Sequence, residues 1–291
     1  MVGMDSFSRR GFIKAAGLAP AAAALANAKT RTLETIGVQL YTVRDILPKD
    51  IEGTLKTIAE IGYREVEVIG ATLDQISPAL QRNKLKPVSI HLDSDLFLAN
   101  HQSELSAAVD NAKHHGIEYA VFPYLPPQRR GGPDVYHRLA EDLNAAGTRC
   151  HRAGMKLCYH NHAFEFKPMG SVTPLQILMK ETDKNLVSLE MDVFWVSVAG
   201  HDPVAMLTTY ADRVALVHLK DKAEGTPVQF NENVPAADFK EVGSGTISFP
   251  GVLRAATQAN VKHFFVEQDH TPGDPLASLR KSYEFLHGLK F

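Results

Sequence analysis

The feature that most constrains this chain is a rhythm. From Ile36 onward, short apolar runs rich in Val, Ile, Phe and Tyr alternate with amphipathic stretches of helical period. Runs of this length, bounded by polar or Gly/Pro punctuation, predict buried strands. They fall at Ile36–Val43, Arg64–Ile69, Pro87–Leu92, Tyr119–Tyr124, Lys156–His160, Val187–Asp192, Val214–Lys220 and His263–Glu267. Helices are predicted at Ile51–Ile61, Leu73–Asn83, Ser103–His115, Asp134–Ala153, Thr173–Glu181, Pro203–Ala211, Pro250–Asn260 and Pro275–Leu286. Asp50 is placed to cap the first helix, and Gly62, Gly116 and Gly154 to stop the first, third and fourth. Strands that alternate with helices imply a parallel sheet with right-handed crossovers. The first strand is followed by Thr42-Val43-Arg44-Asp45, not by the Gly-rich phosphate turn of an open nucleotide-binding sheet. The expected fold is therefore α/β, a (β/α)8 barrel. The length remaining after an N-terminal segment fits the ~250 residues usual for that architecture.

That N-terminal segment reads Ser8-Arg9-Arg10-Gly11-Phe12-Ile13-Lys14, followed by an Ala-rich stretch that ends at Ala26-Asn27-Ala28. Basic, weakly apolar and small-residue regions in that order resemble a twin-arginine export signal. The expected division is a signal peptide over residues 1–28 and one barrel over residues 29–291. The expected destination is the periplasm or cell exterior, and the partner implied is the twin-arginine export machinery. The stretch is too poor in Leu and Ile for a membrane anchor, so no stable span is expected after cleavage. The net charge of −2 argues against nucleic acid as a partner. The two cysteines, Cys150 and Cys158, make no disulfide framework.

A β/α barrel carries its active site at the C-terminal ends of its strands. Those positions hold Gln39 and Tyr41, Glu65 and Glu67, His91 and Asp93, Tyr124, His160 and His162, Glu190 and Asp192, His218, Lys220 and Asp221, and Glu267 and Asp269. Buried charge is costly unless it is paired or bound to metal. Val-Ser-Leu-Glu-Met-Asp, Ala-Leu-Val-His-Leu-Lys-Asp and Phe-Phe-Val-Glu-Gln-Asp each set such groups directly after an apolar run, as does Tyr159-His160-Asn161-His162. A shared ion explains the repetition better than separate satisfied core residues. Mixed nitrogen and oxygen ligands suit Zn, Mn, Co or Fe.

The segments Gly37-Val38-Gln39-Leu40-Tyr41, Gly62-Tyr63-Arg64-Glu65-Val66-Glu67, Tyr159-His160-Asn161-His162, Met191-Asp192-Val193-Phe194-Trp195, His218-Leu219-Lys220-Asp221 and Val266-Glu267-Gln268 resemble the xylose isomerase-like TIM barrel superfamily. Its members include sugar phosphate isomerases and epimerases and keto-acid dehydratases. The resemblance implies one divalent metal ion, Mn, Zn, Co, Fe or Mg. Its ligands would be an acid after strand five, then Asp192, His218 and Glu267. Here the strand-five position is His160, which would replace the usual carboxylate unless Glu165 swings in. Trp195 stands where ketose epimerases carry a histidine, and could stack on a sugar face.

The resemblance also implies proton abstraction α to a carbonyl. His162 and Glu165 are then candidate acid/base groups, with Glu267 and Lys220 beside them. Lys220 would hold a substrate oxygen, or merely pair with Asp221. His91, Glu67 and Trp195 would contact substrate, although Glu67 could instead support a ligand histidine. The substrate expected of an exported enzyme is a non-phosphorylated sugar, keto-sugar or 3-keto-glycoside that undergoes isomerisation, epimerisation or elimination. Two other readings fit such a barrel. One is a sugar-binding barrel with a degenerate site; the other is an apurinic-site endonuclease-like metal hydrolase.

Overall fold

In a strand, alternate residues face opposite sides, and this parity divides the inside of the molecule into layers. The computed structural model describes residues 30–98 and 101–291. The expected export signal over residues 1–28 lies outside them. Ten strands are named in chain order: β1 Gly37–Gln39, β2 Glu65–Ile69, β3 Lys86–His91, β4 Tyr119–Phe122, β5 Lys156–His160, β6 Val187–Asp192, β7 Val214–Leu219, β8 Asp221–Lys222, β9 Phe239–Lys240 and β10 His263–Val266. All but β8 and β9 close into one barrel, in the order β1-β10-β7-β6-β5-β4-β3-β2, with parallel pairing throughout. The helices are α1 Ile51–Ile61, α2 Leu73–Arg82, α3 Gln102–His114, α4 Pro133–Arg152, α5 Pro174–Glu181, α6 Val193–Val198, α7 Pro203–Thr209, α8 Phe249–Gln258 and α9 Pro275–Gly288.

Three departures from the expected elements bear on the site. The first strand stops at Gln39, because the Gln39 side chain accepts from Tyr41 N–H and turns residues 40–43 into a 3-10 helix. Tyr41 therefore points to the rim. Strand six is followed by an unforeseen helix, α6, which Asp192 caps by accepting from Trp195 N–H at 3.0 Å. The irregular stretch after strand seven contains the antiparallel pair β8–β9. It is anchored by Asp221, whose buried carboxylate accepts the backbone N–H groups of Lys222, Gly243, Gly245 and Ile247.

Inside the barrel, Val121, Cys158, Leu216 and Phe265 form an apolar layer. Gly37 belongs there because a Cβ would meet Phe265 Cδ1 at 2.5 Å. Two residues further along three of these strands, the inward positions become His160, His218 and Glu267. Register completes the polar layer. His160 pairs with Glu190 across β5–β6, and Asp192 pairs with His218 across β6–β7. A register shift between Leu189 and Glu190 produces that stagger. The larger apolar core lies outside the barrel, between strands and helices, and includes Leu55, Ile58, Leu139, Leu143, Val252 and Leu279.

Candidate metal centre

His160, Asp192, His218 and Glu267 come from four adjacent barrel strands. Each offers one ligating atom, and those atoms lie within 4.8 Å of one another. These are the four ligands expected from the sequence. All four residues are buried. His218 Nδ1 lies 3.0 Å from Glu267 Oε2, while His218 Nδ1 and His160 Nε2 are each 3.9 Å from Asp192 Oδ2. That last separation is too long for a hydrogen bond. It is near the spacing of two ligands about one ion, roughly 3.4 Å for ~2.1 Å bonds in tetrahedral geometry.

Electrostatics point the same way. Glu67, Glu190, Asp192 and Glu267 are buried together, with Asp269 beside them. Lys220 meets Glu267, Asp269 and Asp192 at 2.7, 2.9 and 3.1 Å. Burial opposes charge on Lys220, but those carboxylates outweigh it and hold the ammonium well above its ordinary range. His218 is likewise penalised by burial, yet Glu190, Glu67 and Glu267 hold it protonated. His91 is pushed up to about 10 against the desolvation penalty, chiefly by Glu67 and Glu190. Even with all three cations counted, the carboxylates outnumber them. Burial pushes Asp192 up to about 6 despite Lys220 and His218. Its Oδ2 is buried without a hydrogen bond and has only the ion pair to Lys220 at 3.1 Å. A carboxylate oxygen with no hydrogen bond, set between two imidazoles in an anionic pocket, fits a divalent cation.

The centre opens on a cavity of about 750 Å³. His91, His160, His162, Trp195, Lys220 and Glu267 all line it. His162 Nδ1 has no hydrogen-bond partner, and its ring stands 4.9 Å from Tyr124 and 5.3 Å from Trp195. Burial, and then the Lys220 charge, hold the His162 imidazole well below its ordinary range, so it is neutral. Trp195 is nearly enclosed, with Nε1 unpartnered.

Other expectations need correction. Glu165 does not reach the site. Its Oε1 accepts from Tyr159 O–H at 2.8 Å and its Oε2 from His162 N–H at 2.9 Å, so it closes the turn after β5. Neither the ligand role nor the acid/base role fits that orientation. Glu67 does not line the cavity. Fully buried, it contacts His218 Nε2 at 2.6 Å, His91 Nε2 at 3.0 Å and Gln39 Nε2 at 2.8 Å, which makes it a support for histidines rather than a substrate contact. Lys220 pairs inward with Asp192, Glu267 and Asp269, and Asp221 is turned to the backbone of its own loop. Glu65 sits at the opposite end of its strand, 2.8 Å from His263 Nδ1.

Several wall residues carried no sequence signal. Glu232 and Phe239 arrive from the irregular loop and His270 from beyond β10. Arg44 donates to the backbone oxygens of Tyr41 and Asp269. Glu190 was visible as a strand-end acid, but only the fold shows its three imidazole neighbours, His91, His160 and His218.

A description of the xylose isomerase-like TIM barrel family matches residues 55–289. The chain belongs to that family. Inosose dehydratase from Geobacillus kaustophilus is 27% identical over 268 residues, covering 81% of this chain and 86% of that protein. Clostridial inosose dehydratases match over about half of their own length. A sugar phosphate isomerase/epimerase from Parabacteroides distasonis superposes with a TM-score of 0.72 at 23% identity, covering 92% of this chain and 98% of that one. The 3-keto-D-glucoside 4-epimerase of E. coli superposes with a TM-score of 0.64 at 15% identity, covering 87% of this chain and 98% of that one. These two likenesses show a shared fold.

Proposed function

We propose that this protein is a divalent-cation-dependent isomerase, epimerase or lyase. It would remove the proton α to a carbonyl of a non-phosphorylated sugar, keto-sugar or 3-keto-glycoside. The observation that carries the proposal is the convergence of His160, Asp192, His218 and Glu267 at the base of the cavity, with Asp192 Oδ2 making no hydrogen bond. The relatives support it by their names: an inosose and a 3-keto-glucoside both carry a ketone beside hydroxyl-bearing carbons, whose C–H bonds the ketone acidifies.

A bound divalent cation would supply Lewis-acid polarisation of the carbonyl. Everything else falls to the chain. His160, Asp192, His218 and Glu267 hold the ion. His162 takes the α-proton, as a neutral imidazole in a cavity-lining ring. Lys220, its ammonium held by Glu267, Asp269 and Asp192, steadies those carboxylates and sets a positive charge beside the oxygen that gains charge. Tyr124, Trp195 and Phe239 give one wall an aromatic surface for the apolar face of a sugar and keep water out. The wall's Arg44 and Lys220 are both committed to protein partners. Asp93, Glu232, Glu267 and Asp269 share that wall, so its field opposes a phosphate or a nucleic acid.

From Ser8–Lys14 alone, we further propose twin-arginine export to the periplasm or cell exterior.

The deciding experiment is solvent-deuterium incorporation into keto-sugars and 3-keto-glycosides, followed by mass spectrometry. Incorporation is expected with added Mn²⁺ or Zn²⁺ and lost on chelation. It should fall at least ~100-fold in His162→Gln, in line with loss of a general base. Exchange that persists in the chelated protein would overturn the proposal.

A further inference from the structure

We propose that Glu190 is the positioning residue of the centre: it fixes His160 in the tautomer that carries its proton on Nδ1, leaving the Nε2 lone pair for the cation. The inference rests on the cation site described above. Glu190 lies on β6 two residues before Asp192, points to the same side, and is fully buried. Its Oε2 stands 3.0 Å from His160 Nδ1, 2.9 Å from His91 Nε2 and 3.4 Å from His218 Nε2. A carboxylate oxygen accepts only, so a ring nitrogen within hydrogen-bond range of it carries a proton. The other nitrogen of His160 then faces Asp192 Oδ2 at 3.9 Å with its lone pair free.

His218 shares the backing but not the free nitrogen. Its Nε2 rests on Glu67 Oε2 at 2.6 Å, while its Nδ1 meets Glu267 Oε2 at 3.0 Å and faces Asp192 Oδ2 at 3.9 Å, so it must give up its Nδ1 proton to bind a cation. Each candidate ligand histidine is thus backed by its own carboxylate, the pairing that orients imidazoles at metal centres. Glu190 Oε1 makes no hydrogen bond. The residue is therefore buried for the sake of its other oxygen, since an unpartnered buried carboxylate oxygen is costly.

A rival assignment makes Glu190 itself a ligand. His91, His160, Glu190 and His218 also place one ligating atom each within 4.8 Å of one another. That deeper set needs a bare Nδ1 on His160, the opposite tautomer. The geometry disfavours it, because Glu190 Oε2 already lies at hydrogen-bonding distance from His91 and His160, and Glu67 occupies His218 Nε2. Occupying both sets at once would require His160 and His218 to bridge as imidazolates.

The test uses the full chain without metal, labelled with ¹⁵N-histidine. A long-range ¹H–¹⁵N spectrum, with His160 assigned through His160→Gln, should show a protonated Nδ1 and a bare Nε2. In Glu190→Gln the amide can donate where the carboxylate accepted. The opposite tautomer should then appear, and Zn²⁺ affinity measured by chelator competition should fall about 10–100-fold. Glu190→Asp should keep the wild-type tautomer. A bare Nδ1 in the wild type, or an unchanged Zn²⁺ affinity in Glu190→Gln, would overturn the proposal. If Glu190→Gln does not fold, the wild-type spectrum decides alone. Zn²⁺ binding with the expected tautomer but no deuterium exchange into any keto-sugar would sink the proposed reaction and leave this inference standing. A wild type that binds no divalent cation would end both.

Discussion

Replacing Lys220 with Met tests the charge logic of the centre. Lys220 is 1% exposed and has carboxylate oxygens of Glu267, Asp269 and Asp192 at 2.7, 2.9 and 3.1 Å. Methionine keeps the volume and removes the charge, leaving those acids to repel one another. Taking one partner from a buried ion cluster costs about 3–5 kcal/mol. At ~2–4 °C per kcal/mol for a domain of this size, the metal-free variant should melt roughly 6–20 °C below the wild type. The loss should depend on pH. Burial already pushes Asp192 up to about 6, and Asp269 is also raised by burial. Without Lys220 both rise further. The folded variant then binds protons that the unfolded chain has released, and its stability falls as pH rises. The deficit should be larger at pH 8 than at pH 5. A divalent cation replaces part of the missing charge, so saturating Mn²⁺ should stabilise the variant more than the wild type. Catalysis should still fall about 10²–10³-fold, because the positive charge that steadies Glu267 and Asp192 beside the developing oxyanion is gone. Differential scanning calorimetry with and without chelator, at both pH values, measures all but the rate. A deficit below about 1 kcal/mol at pH 8 without metal would refute the reasoning.

Further outcomes follow from single side chains. Glu165 is pushed up to about 8 by burial, against the hydrogen bonds from Tyr159 and His162 N–H. The folded state therefore holds this proton from about pH 4.5, where the unfolded chain loses it, to about 8, and wild-type stability should decline across that window relative to Glu165→Gln. Urea titrations at several pH values would show a constant difference if the burial reading were wrong. Zn²⁺ affinity should be unchanged in the same variant, since Glu165 faces its own turn. Gly37→Ala should cost about 1–3 kcal/mol by overpacking the barrel interior against Phe265; a neutral effect in thermal melts would contradict the packing. Replacing Arg9 and Arg10 together by lysine should leave the protein in the cytoplasm, and cell fractionation that finds it exported would refute the twin-arginine proposal.

Much of the centre was legible in the chain because strand parity is a local property. A polar residue two positions after an inward apolar one faces the same interior, so Cys158 predicts His160, Leu216 predicts His218 and Phe265 predicts Glu267. Lys220 could be placed near them, but its partners could not. Glu165 misled because a carboxylate five residues after a ligand histidine looks available, and nothing local shows that Tyr159 O–H and His162 N–H have claimed both oxygens. Glu67 misled in another way: a strand-end acid can face substrate or a neighbouring imidazole, and the choice depends on how deep it sits relative to His218 and His91.

The sequence by itself determined the alternation of strand and helix and the barrel it implies, because periodicity records which face of each strand is buried. The choice of His160, Asp192, His218 and Glu267 among the strand-end groups came from the family resemblance, and that they meet is shown only by the fold. Tertiary structure decided what depends on closure and stagger. The β5–β6 register sets Glu190 beside His160, and a register shift at Leu189/Glu190 in β6–β7 sets Asp192 beside His218. The loop held by Asp221 brings Phe239 and Glu232 over the cavity from a stretch with no period to read. Which nitrogen of His160 faces a carboxylate, and which is left for an ion, is set by contacts between strands.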